Sequence, residues 1–506
     1  MIPFFIACGV GVAPDDEAGN LPGMEWPAAV TTLTETLVPG ERLSTATELN
    51  PGLPDGLAAA EEMGLGTWTT GPGEFWIVRD ELALGHSATM DSRSLLLFVH
   101  QSDAQLADAE SPTRVVALDG HGQTEAALRP QELYAIHALD AFSQRLEGLH
   151  DVVGIDFLVA TGDNADSAQA NETEWFRDVL DGTRLSPDSG AQDNQSDTDG
   201  NDPIAEFTPI GVAFPWYAVA GNHDVLVQGN FDVGDYVDAA VGSDAPAGTR
   251  DLSIPGGPLA FNTVPDARRR VLERSDIAAI YLDTPATPGP VGHGFSDEDV
   301  AADSVNWTAQ VAPGVRLIAV DANPDGPLDG ELTLAELDTF VRPALAAAQA
   351  AGELIIVTSH YALAELPIEG GGILGDVLVE YPNVVLAVAG HWHTNRIVPL
   401  GSPGDAGAFW EIQTASTNDW PVQVRLIELV DNHDGTLSIF TTMVDLPTPQ
   451  GSMAARGLAL SVVDWQSGWR QDSGPGQLTD RNTELVQVMP VSWAGATSAV
   501  RSFALP

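Results

Sequence analysis

The chain has 506 residues, 44% of them apolar, and its 21 basic side chains, all arginine, stand against 72 acidic ones for a formal net charge of −51. That apolar content excludes wholesale disorder, no apolar run approaches the ~20 residues of a membrane-spanning helix, and so negative a chain is a poor match for nucleic acid or an anionic membrane. The single cysteine, Cys8, excludes an internal disulfide framework.

From the N-terminus, Met1-Ile-Pro-Phe-Phe-Ile-Ala-Cys8-Gly9 leads into a Gly-, Pro- and acid-rich stretch. An apolar segment ending in Ala-Cys is similar to the end of a bacterial lipoprotein signal, although it is short and lacks a charged start. Residues 1–30 read as an exported leader and tether, with Cys8 either a lipid anchor or a stray thiol. The expected location is periplasmic, cell-surface or extracellular, as a lipoprotein or a free exported protein. Residues 31–91, with Trp68 and Trp76 among many Gly and Pro breaks, read as a segment appended to the main body.

Strand-length apolar runs follow at 95–99, 155–160, 215–220, 315–320, 354–357 and 384–389. They lack clean alternation, which predicts strands covered on both faces. Between them, Arg129-Pro-Gln-Glu132 opens a helix whose buried stripe is Leu133, Ile136, Leu139 and Phe142, and 333–351 reads as a second helix. The acidic loop 181–203 reaches an EF-hand-like series of Gln195, Asp197, Asp199, Gly200 and Glu206, but without flanking helices a solvated insertion is the expected reading. Past residue 405, antiparallel strands are predicted at 408–412, 422–430 and 436–442, with Asp434-Gly435 turning the last two. Strand alternating with helix predicts an α/β sandwich, with one domain over 92–450 and a C-terminal extension, 451–506, packed on it. Trp410 and Trp420 are expected in that core, and His100, His121, His137 and His150 as structural or exposed residues.

The chemistry sits just past the strands. The runs lead into Gln101-Ser-Asp103-Ala-Gln105, Thr161-Gly-Asp163-Asn164, Gly221-Asn222-His223-Asp224, Thr358-Ser-His360 and Gly390-His391-Trp-His393. Each motif alone is weak, but five strands deliver oxygen and imidazole ligands at their carboxyl ends, where open α/β sheets build sites. Carboxylate, amide and imidazole suit Mn, Fe, Zn or Mg, and two such ions supply the needs of phosphoester hydrolysis, charge neutralisation and hydroxide near neutral pH.

This order of motifs resembles the calcineurin-like metallophosphoesterase superfamily over roughly residues 94–445. The resemblance implies a four-layer α/β/β/α sandwich of two mixed sheets and two divalent or trivalent metal ions. Asp163 would bridge the ions; Asp103, Gln105 and His393 would hold one, and Asn222, His360 and His391 the other. A metal-bridging hydroxide would attack phosphorus in line, His223 would protonate the leaving oxygen, and Asp224 would orient His223. The substrate implied is a small phosphomonoester or phosphodiester.

Two departures stand out. The family's first motif ends in His where this chain has Gln105, a weaker ligand that leaves a catalytically silent metal-binding surface protein as the rival reading. Purple acid phosphatases place Tyr where this chain has Asp166. Arg129-Pro-Gln-Glu132, Val291-Gly-His293-Gly-Phe295 and Gln105 together resemble a bacterial exported subgroup, and His293 is a candidate for touching substrate phosphate.

Overall fold

The structure is a computed structural model that describes residues 30–502 except 90, 122–123, 191–201, 255, 324–329, 471–472, 492 and 494–500. Cys8, the leader and the EF-hand-like positions 195–200 lie outside the described residues. Glu206, at the end of that series, forms an exposed pair with Arg184.

The apolar runs become the centres of two mixed sheets. The first contains β1 (Arg93–Gln101), β2 (Phe157–Ala160) and β3 (Trp216–Ala218), which are parallel. The second contains β4 (Trp307–Ala312), β5 (Val315–Ala319), β6 (Leu354–Thr358), β7 (Val384–Ala389), β8 (Arg396–Leu400) and β9 (Phe409–Gln413) in the order β8-β9-β7-β6-β5-β4. In it β5, β6, β7 and β9 run parallel and the two edges antiparallel. The antiparallel strands β10 (Gln423–Asp431), β11 (Thr436–Asp445) and β12 (Thr483–Val488) extend the first sheet from β1, and Ile77–Arg79 closes its edge. The strand expected at 408–412 is therefore separated from the two strands predicted after it and lies in the other sheet, parallel to β7 and antiparallel to β8.

Alternation along β5 and β6 shows how the layers form. Leu317 and Ile356 join the central core shared with the first sheet, while Ile318, Ile355 and Val357 face outward onto a second core. That outer core is covered by α5 (Arg342–Ala350), through Leu345 and Ala348. On the other side, α1 (Ala135–Val153), α2 (Ala170–Asp181) and α6 (Met453–Gln466) cover the first sheet through residues such as Phe142, Phe176 and Leu458. The short helix α3 (Asn222–Val225) and α4 (Arg274–Leu282) follow β3. The result is the expected α/β/β/α sandwich.

Two local departures have simple causes. The helix expected over 333–351 starts at Thr333, whose hydroxyl caps Glu336, but passes through a π-turn at Leu337–Val341 before α5. Pro343 lacks the N–H that would bond one turn back, so the ladder is broken there. The C-terminal residues supply α6 and the strand β12, both built into the outer layer and first sheet. Trp410 and Trp420 are buried, and His100 is enclosed between Thr161 and Thr414 hydroxyls. Among the described residues no helix is long and apolar enough to cross a membrane.

Asp464 on α6 yields a pH prediction. Burial, opposed by Arg470 but helped by Asp419 and Asp119, pushes its carboxyl up to about 8. Unfolded, it titrates near ~4, so between those values the folded state holds the extra proton and stability falls as pH rises. Asp464→Asn removes this dependence. Its melting temperature should gain on the wild type steadily from about pH 5 to about pH 8 by calorimetry; a pH-independent difference refutes the argument.

Candidate metal centre

The parallel strands β1, β2 and β3 of one sheet and β6 and β7 of the other end on the same edge, and the loops after them meet there. Backbone contacts lock the meeting: the His391 N–H donates to Asp103 Oδ2 at 3.1 Å and the Gly390 N–H to the His360 carbonyl at 2.9 Å. A methyl on Gly390 would fall on Ser102 Oγ and Asp103 Oδ2, and one on Gly221 on Asp163 Oδ1, so glycine is required before His391 and before Asn222. Asp103, Gln105, Asp163, His391 and His393 all have φ between 43° and 71°. Non-glycine residues adopt this region at a cost, and they cluster where surrounding structure needs a side chain re-aimed.

Asp163 lies at the centre. Its Oδ1 accepts the His223 N–H at 2.8 Å, and its Oδ2 lies 3.2 Å from His360 Nε2 and 3.3 Å from Gln105 Nε2. Asp103 Oδ1 is 3.1 Å from His393 Nε2 and 3.9 Å from His360 Nε2. His391 Nδ1 is 3.3 Å from His360 Nε2. Ligand atoms of Asp103, Asp163 and His393 all fall within 4.8 Å of one another, and the three residues are buried.

The donor set fits metal ions. Gln105 Oε1 and Asn222 Oδ1 are buried carbonyl oxygens with no hydrogen-bond donor. An acceptor left so costs ~1–3 kcal/mol, and a cation would satisfy it. The far side of two of the three imidazoles is already fixed: His360 Nδ1 donates to the Thr161 carbonyl at 2.8 Å, and His393 Nδ1 lies 2.5 Å from Asp419 Oδ2. This leaves Nε2 of His360 and of His393 as the inward-facing ligand atom, the usual arrangement behind a metal-bound histidine.

The electrostatics agree. Burial alone would depress His360, but Asp163 and Asp103 raise it to about 9. His391, buried beside that charge, falls to about 3. Despite burial, the imidazoles hold Asp163 and Asp103 below the usual carboxylate range. The pocket collects positive charge, and a proton takes the place that an ion would fill.

His223, with its side chain 12% exposed, sits at the mouth with Nε2 3.9 Å from Asp163 Oδ2. The expected partner Asp224 does not hold its ring. Asp224 instead accepts backbone N–H groups of Gly221, Asn164 and Ala165 at 2.7–3.1 Å and so shapes the loop. The His223 Nδ1 faces the Asp166 carbonyl at 2.8 Å and its carboxylate at 3.4 Å. Asp166 is fully buried between Arg114, Arg129 and His223, so the position that carries Tyr in purple acid phosphatases serves here as an anion.

His293 is also corrected. It is fully buried, stacked on Trp216 at 3.4 Å, with its nitrogens on the Trp216 carbonyl and Thr284 hydroxyl. A histidine so satisfied is a core residue and cannot reach a substrate. Sequence reasoning missed Asp419, Arg470 and Ser416. Asp419 holds His393, Arg470 pairs with Asp419 at 2.8 Å, and Ser416 donates to the Asp103 carbonyl at 2.7 Å. For Ser416 and Asp419 the one signal was the polar run Ser416-Thr-Asn-Asp419 shortly after β9.

No family model matches the chain, and no curated protein matches it. Among solved structures it matches a purple acid phosphatase isolated from yellow lupin (Lupinus luteus) seeds at 13% identity, over 69% of this chain and 51% of that one, with a TM-score of 0.32. The chain thus spans about half the length of the lupin phosphatase. It also matches a conserved uncharacterized protein, a predicted phosphoesterase, from Streptococcus pneumoniae at 8% identity, over 70% of this chain and 90% of that one, with a TM-score of 0.20.

Proposed function

We propose that the chain is a metal-dependent phosphoric ester hydrolase acting on a small phosphomonoester or phosphodiester. The observation that carries this reading is the convergence of Asp103, Gln105, Asp163, His360, His391 and His393, with Gln105 Oε1 and Asn222 Oδ1 left buried without a donor. Asp103, Gln105 and His393 would hold one ion, Asn222, His360 and His391 a second, with Asp163 between them. Bound there, two ions of Mn, Fe, Zn or Mg would neutralise the phosphoryl oxygens and lower the pKa of water toward neutrality. His223, partly open to solvent and held at Nδ1 by Asp166, is placed to give a proton to the leaving oxygen.

The overall charge of −51 does not oppose an anionic substrate. Screening acts over about 8 Å at physiological salt, so distant carboxylates contribute little beside two divalent ions. The same charge weighs against nucleic acid as substrate. The reading keeps the chain among bacterial exported metallophosphoesterases, with a lipid anchor at Cys8 as one mode of attachment.

The test is hydrolysis of paired chromogenic mono- and diesters by purified protein with Mn2+, then with chelator, against His391→Ala. Turnover that chelator and the substitution abolish supports the reading, and the preferred ester sets the substrate class. No turnover from folded protein with any of the four metals favours the silent scaffold. Gln105 is the one feature for that rival, as a weaker ligand where the resembled family has His, and its Nε2 turns toward Asp163. Gln105→His should tighten Mn2+ binding about 10-fold by calorimetry, imidazole being the stronger ligand; unchanged affinity removes residue 105 from the ligand set.

A further inference from the structure

We propose that Arg129 is a positioning residue that ties His223 at the mouth of the centre to His393 in its floor, an inference that rests on the phosphoesterase reading. Its guanidinium is buried and faces two carboxylates at once: Nη1 donates to Asp166 Oδ1 at 3.3 Å, and Nε lies 3.3 Å from Asp419 Oδ1 as an ion pair without hydrogen-bond geometry. Asp166 faces His223 Nδ1, and Asp419 holds His393 Nδ1. One planar group therefore spans the two anions that set the two imidazoles.

Neither anion needs Arg129 for its charge. Asp166 already has Arg114 at 2.5 Å, and Asp419 has Arg470 at 2.8 Å. An arginine placed only to stabilise would dock both nitrogens on one carboxylate at ~2.7–2.9 Å. Here it is stretched between two at longer range, and buried ion pairs add little net stability in any case. The geometry adds a fixed distance between Asp166 and Asp419. The motif around it serves the same end. Gln131 Nε2 donates to Asp419 Oδ1 at 2.7 Å, and Glu132 accepts the Arg129 N–H at 3.0 Å while pairing with Arg114 and Arg250.

The experiment uses the full chain, with Mn2+ affinity by calorimetry, steady-state kinetics on an alkyl phosphoester at saturating Mn2+, and melting temperature. Arg129→Gln should weaken Mn2+ binding about 10-fold through His393 and lower kcat about 10-fold through His223, with KM unchanged. The two losses should not add to those of their own partners. Arg129→Gln should leave Mn2+ affinity where Asp419→Asn has put it, and kcat where Asp166→Asn has put it. Arg269→Gln, a buried arginine that pairs with Asp108 and bonds Ser189 and the Val264 carbonyl but none of the candidate ligands, nor Asp166 or Asp419, controls for the loss of a buried arginine. Should Arg129→Gln fail to fold, Arg129→Lys keeps the charge but cannot span both carboxylates, so at least one loss remains. The inference is overturned if the Arg129 variants lower only the melting temperature, as Arg269→Gln does, or if their losses add in both pairs. A wild type that neither binds Mn2+ nor cleaves an ester overturns the phosphoesterase reading instead, and this inference with it.

Discussion

Asp163→Asn should strip the centre of metal and lower kcat/KM by about 10³-fold, the several kcal/mol that metal ions supply to a phosphoryl transition state. The expectation comes from where its two oxygens point. Oδ1 is held by the His223 N–H at 2.8 Å, and Oδ2 faces the imidazole of His360 at 3.2 Å, so the carboxylate lies between both halves of the ligand set. An amide keeps the shape but loses the charge and turns a donor toward one side. Metal content after dialysis, by mass spectrometry, checks the first part and kinetics the second. Asp163→Asn protein that keeps its metal and activity would show the centre to be misplaced. The same site sets a pH dependence. His360, raised to about 9, is protonated at neutral pH without metal, so an ion must displace that proton. Affinity should therefore rise with pH up to about 9, and calorimetry in buffers of different ionisation enthalpy should detect proton release. Binding without proton release would argue against His360 as a ligand.

That the candidate ligands would converge was legible in the sequence because each lies just past a strand, and parallel strands that end on one edge bring their outgoing loops together. Asp103, Asp163, Asn222, His360, His391 and His393 needed no side-chain detail, only the order of the runs. Their supports were not legible. Asp224 adjoins His223, which made it the natural partner. Neighbours on a helical turn such as Asn222–Val225 point about 100° apart, however, and the ring turns instead to Asp166 on the loop after β2. Asp419 lies 26 residues beyond its partner His393, with two strands between. Nothing local in the chain reports such a contact. His293 misled for the converse reason. Glycines on both sides imply an exposed turn, and only the distant Trp216 shows that the turn is folded inward. Among secondary elements, the sheet that each of the last predicted strands joins was not legible, because a strand's composition does not record it: β9 lies in the second sheet, and β10 and β11 in the first.

His223→Ala should leave metal binding near the wild-type value and lower kcat by an amount that depends on the leaving group. A positioned general acid contributes ~10²–10⁴-fold, but only where the departing oxygen needs a proton. An alkyl phosphoester, whose leaving alkoxide is a strong base, should show the full loss; p-nitrophenyl esters, which leave as stabilised phenolates, should show little. Asp166→Asn should show the same pattern, because the Asp166 backbone carbonyl still accepts from His223 Nδ1 at 2.8 Å but the anion 3.4 Å away that favours the protonated ring is lost. Asp224→Asn is the informative contrast. Its carboxylate accepts the N–H groups of Gly221, Asn164 and Ala165 and touches no imidazole nitrogen, so its loss should loosen the loop that carries both Asn222 and His223. The effect should then be similar for every leaving group and accompanied by weaker metal binding. If Asp224→Asn instead showed the leaving-group dependence and Asp166→Asn did not, the proton on His223 would be governed by its neighbour in sequence, and the assignment drawn from the ring's contacts would fall.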